Sequence, residues 1–442
     1  MSNLIIFTFG LALLALVSIF QPMRGWLSDL LSQRYMLLCI LPIFVLFGWP
    51  IDDLESYRVG NDLGWQRVAR IILFTSFFGL TAISILYRRS FIFPRSSVFV
   101  IFALYILFAT ASAVYSSEPL QSLWKAFELL VLLMFAAGLY ARQIPNPENN
   151  VIAVTNALLY LVFSLCLMSL AGGFLAPELA WRDFGLTGFG VRSMSGVVPM
   201  VNPNTLGQLG GIIALAGIFR LLTLTGIRTG KIGDWIVLGV GFLTVYLAYS
   251  RTSIFASVLL FVLLLFLLRR HDLLLLAVPA VLLVWTLFLD DILEYMARGQ
   301  DEEQFASMSG RTHMWEAALD AWQQSPLLGH GYFVGHKNVQ ISNGKFLETV
   351  DSTYIETLVN LGIVGFSLIA AFAIGTLHLA WKVFKKSRHG RRNMLPTTIV
   401  LFIFVGFIVA RSFTASSFQV LHYNLIFLMV AIVSLQIVER RM

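Results

Sequence analysis

Long apolar runs separated by polar linkers are the feature that most constrains this chain. Thirteen such runs occur along its 442 residues, and most are long enough for a helix to cross a bilayer, which takes roughly 20 apolar residues. Their approximate bounds are 3–20, 35–51, 69–87, 98–116, 122–141, 151–175, 196–221, 235–250, 252–268, 273–290, 354–384, 396–414 and 418–438. The pattern predicts an all-α, polytopic integral membrane protein, with about 12–13 transmembrane helices in one domain over residues 1–442.

The composition agrees with a membrane protein. The chain is 58% hydrophobic and 12% charged, with a mean hydropathy of +0.80, whereas a soluble domain carries about 25% charged residues. The alternating segments of a transmembrane β-barrel are absent from the sequence. The first run lacks a preceding basic region and is followed by Gln21 and Pro22, so we interpret it as a retained helix. Cys39 and Cys166 both fall inside apolar runs, which gives no disulfide framework.

The charge distribution predicts the orientation of the chain. The most basic loop, residues 382–392, is assigned to the cytoplasm because cytoplasmic loops carry an excess of Lys and Arg. Alternation of the spans then gives the cytoplasmic side 19 of the 31 basic residues and five of the 24 acidic ones. The net charge of +7 is therefore interpreted as a topology signal and not as a nucleic-acid-binding surface.

One loop, residues 291–352, is much longer than the others, and the same alternation makes it extracytoplasmic. Within it, apolar residues recur at helical spacing, and Pro326 and Gly329 end the pattern. The members of this stripe are Met314, Trp315, Ala318, Leu319 and Trp322. The sequence thus predicts an amphipathic helix that lies against the membrane surface or covers a cavity opening outward.

Three arginines, Arg251, Arg311 and Arg411, are predicted at outward ends of spans or in the long loop. An arginine at a span end commonly extends its charge to the membrane interface. Arg251 and Arg411, however, are embedded among apolar residues with Ser and Thr neighbours, as in sites that face a cavity or a substrate. Because a planar guanidinium binds phosphate oxygens two at a time, the set suits a lipid diphosphate.

The stretch "DSTYIETLVNLGIVGF", residues 351–366, allows two interpretations of its first acid. Thr353 and Glu356 have the spacing of a capping box, and Asp, Ser and Thr all favour helix starts. Spacing alone therefore favours Asp351 as a helix-start residue, with Glu356 as the partner of the cap, over a catalytic role.

Histidines and paired acids are the remaining candidates for chemistry. His313, His330, His336 and His422 are predicted to face outward, but none has the spacing of a zinc site. Ordinary loop polar groups are the alternative reading for His330 and His336. Two acidic pairs, Asp52–Asp53 and Asp290–Asp291, could hold a metal against a diphosphate, although adjacent acids at a span end are more often solvated caps.

Four features together resemble the O-antigen ligase and Wzy-type polysaccharide polymerase superfamily. They are the dozen spans with one long late loop, "SRTS" at the start of a span, "SGRTHMWEAALDAWQQSPLLGHGYF" in the loop, and "DSTYIETLVNLGIVG" after it. The resemblance covers roughly residues 196–440, and the first half of the chain matches only in being polytopic.

The resemblance implies a GT-C-like, inverting glycosyltransferase that takes a glycan from undecaprenyl diphosphate, without a metal, cofactor or nucleotide sugar. It implies catalytic roles for Asp351, Arg311 and Arg251, the two arginines holding the diphosphate. Predicted substrate-binding residues are Arg411, His313, His330, His336 and Trp315. The implied partners are the lipid-linked donor, a glycan acceptor, the lipid bilayer of the bacterial inner membrane and a chain-length regulator protein.

Asp351 departs from the pattern, since ligases of this superfamily carry a catalytic histidine at the matching position. A histidine titrates near neutrality, whereas an aspartate beside arginines is a weak base. The departure favours a polymerase, in which Asp351 orients the acceptor hydroxyl or a neighbouring histidine takes its proton. The alternatives are the ligase branch, with lipid A-core or a protein as acceptor, and a flippase or other transporter, which would need charges at midspan.

Overall fold

A computed structural model describes a large part of the chain. The described residues are 94, 96–144, 146–183, 192–197, 201–225, 232–297, 311–340, 346–347, 349–390, 392–418 and 422–441. The predicted spans 3–20, 35–51 and 69–87, and the pair Asp52–Asp53, lie outside them.

Helices form most of the described chain. In order they are α1 (Ser97–Ala111), α2 (Pro119–Gln143), α3 (Pro147–Leu175), α4 (Pro177–Ala180), α5 (Pro203–Arg220), α6 (Ile232–Ala248), α7 (Arg251–Leu267), α8 (His271–Leu287), α9 (Leu289–Ala297), α10 (Arg311–Gln324), α11 (Thr353–His389), α12 (Leu395–Ser412) and α13 (Tyr423–Arg441). Short 3₁₀ helices cover Ser112–Val114, Gly335–Asn338 and Arg392–Met394, and a π-helix covers Leu221–Thr225. Two strands, β1 (Trp181–Asp183) and β2 (Arg192–Met194), pair antiparallel with Trp181 opposite Met194.

Each of the other ten predicted spans is mostly helical over the residues that the structure describes, which confirms the all-α membrane fold. Among the described residues, seven helical segments are long and apolar enough to cross a membrane: Ser97–Val114, Pro119–Ala141, Pro147–Leu175, Pro203–Thr223, Thr353–His389, Leu395–Ser412 and Tyr423–Arg441. Helices α6 and α7 are apolar but shorter. The amphipathic helix expected in the long loop is α10, which ends at Gln324 shortly before Pro326.

The described residues fall into two compact units, one from 156 to 297 and the other from 94 to 155 together with 311 to 441. In the first unit, α5 packs on α6 through small residues. A Cβ at Gly241 would lie 2.6 Å from the backbone nitrogen of Ala214, so the two helices approach as closely as small residues allow. Helix α5 begins with a capped turn, in which Asn202 Oδ1 accepts a hydrogen bond from Thr205 N at 2.8 Å.

In the second unit, α11 packs against α1, α12 and α13, and α2 packs against α1 and α13. Fully buried aromatic rings fill this core, among them Phe102, Phe372, Phe404 and Phe427. Helix α10 lies across the start of α11, where Trp315 and Ala318 pack against Val350 and Val359. The long loop is thus part of the same folded unit as the start of α11.

Helix α11 is broken at Gly362, whose φ of 61° and ψ of −164° are accessible essentially to glycine alone. The loop 326–331, sequence "PLLGHG", fills the break. The four backbone hydrogen bonds that join them are His330 N to Val359 O (3.0 Å), Gly331 N to Asn360 O (2.9 Å), Ile363 N to Pro326 O (2.9 Å) and Val364 N to Leu327 O (3.4 Å). The short first segment of α11, residues 353–361, is therefore held by the loop as well as by the rest of its own helix.

Candidate active site

Arg311 and Asp351 form an ion pair in the second unit. Arg311 is the first residue of α10, and Asp351 lies two residues before α11. The distance from Arg311 Nε to Asp351 Oδ2 is 3.4 Å, and the two side chains are 14% and 43% exposed. The packing of α10 on α11 therefore brings together two residues that the sequence had placed in one predicted site.

Asp351 does not cap the helix. Ser352 occupies the N-cap position, so Glu356 stands one residue too far along to complete a capping box, and the capping-box prediction is wrong. The Asp351 backbone is left-handed, with a φ of 50°. Its carboxylate accepts a hydrogen bond from Thr349 Oγ1 at 2.8 Å, while its N–H donates to the same hydroxyl at 3.1 Å. The local turn and the Arg311 contact together fix the direction of this carboxylate.

Arg411 lies in the last turn of α12 and is only 4% exposed. Its charge interacts electrostatically with both Arg311 and Asp351, so the three predicted residues share one electrostatic environment. His422 is close to the same guanidinium. Burial and the charge of Arg411 lower the pKa of His422 to about 3, which makes its imidazole neutral at physiological pH.

The loop after Arg411, residues 412–418, is joined to the start of α11 by side-chain hydrogen bonds. Thr353 Oγ1 donates to Ala415 O at 2.9 Å and accepts from Ser417 N at 2.8 Å. Ser412 Oγ donates to the Tyr354 hydroxyl at 3.1 Å. The two Thr353 bonds hold the loop that follows Arg411 against the start of α11.

The candidate histidines of the long loop occupy different environments. His330 Nε2 lies 2.8 Å from Ala321 O, a loop-to-helix contact. His336 is buried against Glu356 and Asn360. His313 is largely exposed and lies 3.7 Å from Glu316.

Trp315 donates from Nε1 to Val350 O at 2.9 Å and packs into the core below α10. This contact gives Trp315 a structural part in the unit. Its predicted role in substrate binding stays a prediction.

A groove of about 600 Å³ runs along α10. Its polar lining includes His313, Glu316, Asp320, Gln324, His330 and Asn338. Carboxylate, amide and imidazole groups can each exchange hydrogen bonds with hydroxyl groups. Two carboxylates also make the groove poorly suited to a diphosphate, so a hydroxyl-rich ligand fits its chemistry better.

Arg251 belongs to the first unit, where it is the first residue of α7 and is partly buried. The start of this helix is held by neighbouring hydroxyls. Ser250 Oγ donates to Asn204 Oδ1 at 3.1 Å, and Ser253 Oγ donates to Asn204 O at 3.0 Å. The "SRTS" motif therefore anchors the arginine through its two serines.

The family comparison bears on this arrangement. Residues 236–370 match the family model described as O-antigen ligase. The match confirms the resemblance to the O-antigen ligase and Wzy-type polymerase superfamily and supports an enzymatic role of ligase or polymerase type in a membrane protein. The matched segment contains Arg251, Arg311 and Asp351, and it ends before Arg411. No curated protein matches the chain.

The segment that matches this family model also contains two buried polar residues that the sequence analysis did not predict as site residues, Glu356 and Asn360. The signal that could have found them is their position, since each is a polar residue at the edge of, or within, an apolar run. Among the described residues, no group of three or more His, Cys, Asp or Glu is placed to hold a metal ion. Asp290 and Asp291 lie in the first turn of α9.

Proposed function

We propose that this protein is a bacterial polymerase of a surface polysaccharide, either O-antigen or exopolysaccharide. It transfers a glycan from undecaprenyl diphosphate to a lipid-linked repeat unit at the extracytoplasmic face of the inner membrane. The observation that carries the proposal is the Arg311–Asp351 ion pair, with the buried Arg411 within electrostatic range of both residues. The first two of these residues lie in the segment that matches the O-antigen ligase family.

In the proposed reaction, an acceptor hydroxyl oxygen attacks the anomeric carbon of the donor. The bond from that carbon to the diphosphate oxygen breaks, and undecaprenyl diphosphate leaves with the electron pair. One direct displacement inverts the configuration at this carbon. Arg311 neutralises the charge that develops on the leaving diphosphate, which lowers the barrier directly. Holding the acceptor hydroxyl near the anomeric carbon adds an entropic contribution.

Asp351 supports the polymerase branch over the ligase branch. The superfamily resemblance gives ligases a catalytic histidine at this position, whereas this chain has a carboxylate paired with Arg311. The Asp351 carboxylate contacts Arg311 and accepts a hydrogen bond from Thr349, so we assign Asp351 the task of orienting Arg311 and the acceptor hydroxyl. The groove along α10, lined by hydroxyl-binding groups, is assigned to the glycan.

A deletion strain complemented by the wild-type gene or by Arg311→Ala tests this function. The expected phenotype is loss of long glycan with a single repeat unit retained on the core, restored by the wild type alone. Loss of all glycan from the core would identify a ligase instead. Accumulation of the unit-length lipid-linked intermediate inside the cell would identify a flippase.

Purified protein with a synthetic lipid-linked repeat unit tests the chemistry directly. The expected product is a ladder of longer lipid-linked glycans, formed equally well in the presence of a chelator. An enzyme that is inactive in chelator and is restored by manganese would contradict the metal-independent reaction. Reporter fusions test the orientation, with cytoplasmic signal expected near residue 388 and exported signal near residue 340.

A further inference from the structure

Glu356 lies in a buried polar cluster next to the ion pair. It is 2% exposed, as is His336. One of its carboxylate oxygens, Oε2, accepts a hydrogen bond from the Ser416 hydroxyl. The other, Oε1, lies 3.7 Å from His336 Nδ1. A carboxyl group buried at the end of a membrane helix is costly unless it is compensated, and such groups commonly serve function.

The protonation of His336 follows from its contacts with Asn360. Asn360 Oδ1 lies 3.2 Å from His336 Nδ1 and accepts from the His336 backbone N–H at 2.9 Å. Because this amide oxygen can only accept, Nδ1 must carry a hydrogen. The Nδ1–H of His336 therefore donates to Asn360 Oδ1, and Glu356 accepts its hydrogen bond from the Ser416 hydroxyl.

Ser416 is the accessible end of this cluster. It is partly exposed, whereas the carboxylate that accepts its hydrogen bond is buried. Ser416 lies in the loop 412–418 that follows Arg411, and that loop is bonded to the start of α11 through Thr353. Because Ser416 is partly exposed, an acceptor hydroxyl can contact it without entering the protein interior.

We propose that Ser416 and Glu356 form a proton relay for the acceptor hydroxyl, an inference that rests on the glycosyl-transfer function proposed above. As the acceptor oxygen bonds to the anomeric carbon, its proton passes to Ser416 Oγ. The proton of Ser416 passes at the same time to Glu356 Oε2, and the carbon–diphosphate bond breaks with its electron pair on the leaving group. Glu356 returns the proton through Ser416 to the diphosphate or to water after product departure. No oxidant, reductant or further co-reactant is needed.

The relay explains how transfer proceeds with an aspartate at position 351. Asp351 is paired with Arg311 and accepts from Thr349, so its carboxylate is already committed to two donors. Glu356 instead faces a hydroxyl that can exchange protons with the acceptor. Asp351 and Glu356 therefore have different roles. Asp351 orients Arg311, and Glu356 receives the proton of the acceptor hydroxyl through Ser416.

A matched pair of variants tests the relay in the purified transfer assay. Ser416→Thr keeps the hydroxyl group, and Ser416→Val introduces a side chain of nearly the same shape as threonine but without a hydroxyl. Ser416→Val and Glu356→Gln are expected to lower kcat by about 100-fold or more, the usual scale of general-base catalysis. The KM for the lipid-linked donor should change less than about threefold, since the arginines are untouched. Ser416→Thr should retain kcat within about tenfold of the wild type.

Ser412→Ala is the control for a merely structural role. It removes the bond from Ser412 Oγ to the Tyr354 hydroxyl, which also joins this loop to α11 but does not touch the carboxylate. It should leave kcat within about threefold of the wild type. The relay is refuted if Ser416→Thr and Ser416→Val lower kcat equally, or if Glu356→Gln keeps the wild-type kcat. It is also refuted if Ser412→Ala lowers kcat as much as Ser416→Val does. A wild-type protein that transfers no glycan in the same assay would instead refute the proposed function.

Discussion

Replacing Gly362 by alanine should destabilise the second unit more than an alanine elsewhere in α11. The backbone at this position has a φ of 61° and a ψ of −164°, and an added Cβ would lie 2.3 Å from the carbonyl carbon and oxygen of Leu327. Alanine can be accommodated only if the backbone rotates and the loop 326–331 moves away. Either change strains or breaks the hydrogen bonds that fill the helix break.

The size of the effect follows from these two contributions. Backbone strain at a glycine-only conformation costs about 1–3 kcal/mol. The three shorter hydrogen bonds of the break, at 2.9–3.0 Å, contribute about 0.5–1.5 kcal/mol each. The free energy of unfolding should therefore fall by about 3–7 kcal/mol in Gly362→Ala.

Unfolding of the purified protein in detergent, driven by SDS and followed by tryptophan fluorescence, measures this loss. Gly375→Ala is the matched control in the same helix, because its new Cβ would meet only Val98 Cγ2 at 3.4 Å. This control should be neutral or stabilise the helix by up to about 1 kcal/mol. A Gly362→Ala protein within about 1 kcal/mol of the wild type would refute the reasoning.

Three further predictions concern charged and titratable groups. Arg251→Ala and Arg311→Ala should each abolish glycan chain growth in cells while the protein still inserts, since a charge-assisted contact is worth about 1.5–3 kcal/mol. Lys at either position should restore chain growth poorly. Near-normal glycan length in both Ala variants would contradict the role assigned to the arginines. Asp351→Asn and Asp351→Ser should stop glycan chain growth without loss of protein, as judged by glycan ladders and immunoblots. If both variants keep normal chain growth, Asp351 has only a local backbone role. Partial activity of Asp351→His would indicate that the residue at position 351 acts as a base. Burial and the charge of Arg411 lower the pKa of His422 to about 3, so this histidine binds a proton in the unfolded chain before it does in the folded protein as the pH falls. The free energy of unfolding should therefore be about 2 kcal/mol lower at pH 5 than above about pH 6.5. His422→Gln should remove this difference in unfolding experiments at pH 5 and above about pH 6.5.

The spans and α10 could be predicted because apolar periodicity reports directly on burial. Every predicted span within the described ranges is a helix, and the Met314, Trp315, Ala318 and Trp322 stripe does pack into a core. The pairing of Arg311 with Asp351 was anticipated only through the family resemblance, since no spacing rule connects residues in a loop helix and a later span.

The role of Glu356 could not be predicted from local spacing. The helix begins one residue earlier than the Thr353 capping box requires, and a shift of one residue turns the side chain from the helix end toward Ser416 and His336. The break at Gly362 was equally hidden, because the apolar run 354–384, with its three glycines, is predicted as one continuous span. What decides both is tertiary hydrogen bonding with the loop 326–331 and the loop 412–418.

The helix break also determines which parts of such enzymes can be exchanged. Residues 353–361 are continuous with a membrane helix in the chain, yet their carbonyls accept hydrogen bonds from the long loop. A chimera that takes residues 311–364 together from a relative keeps all four donor–acceptor pairs that join the loop 326–331 to the helix break. A junction placed between residues 331 and 353 instead pairs the relative's loop 326–331 with this protein's own helix break at Gly362. The loop and the start of α11 are therefore inherited as one structural block.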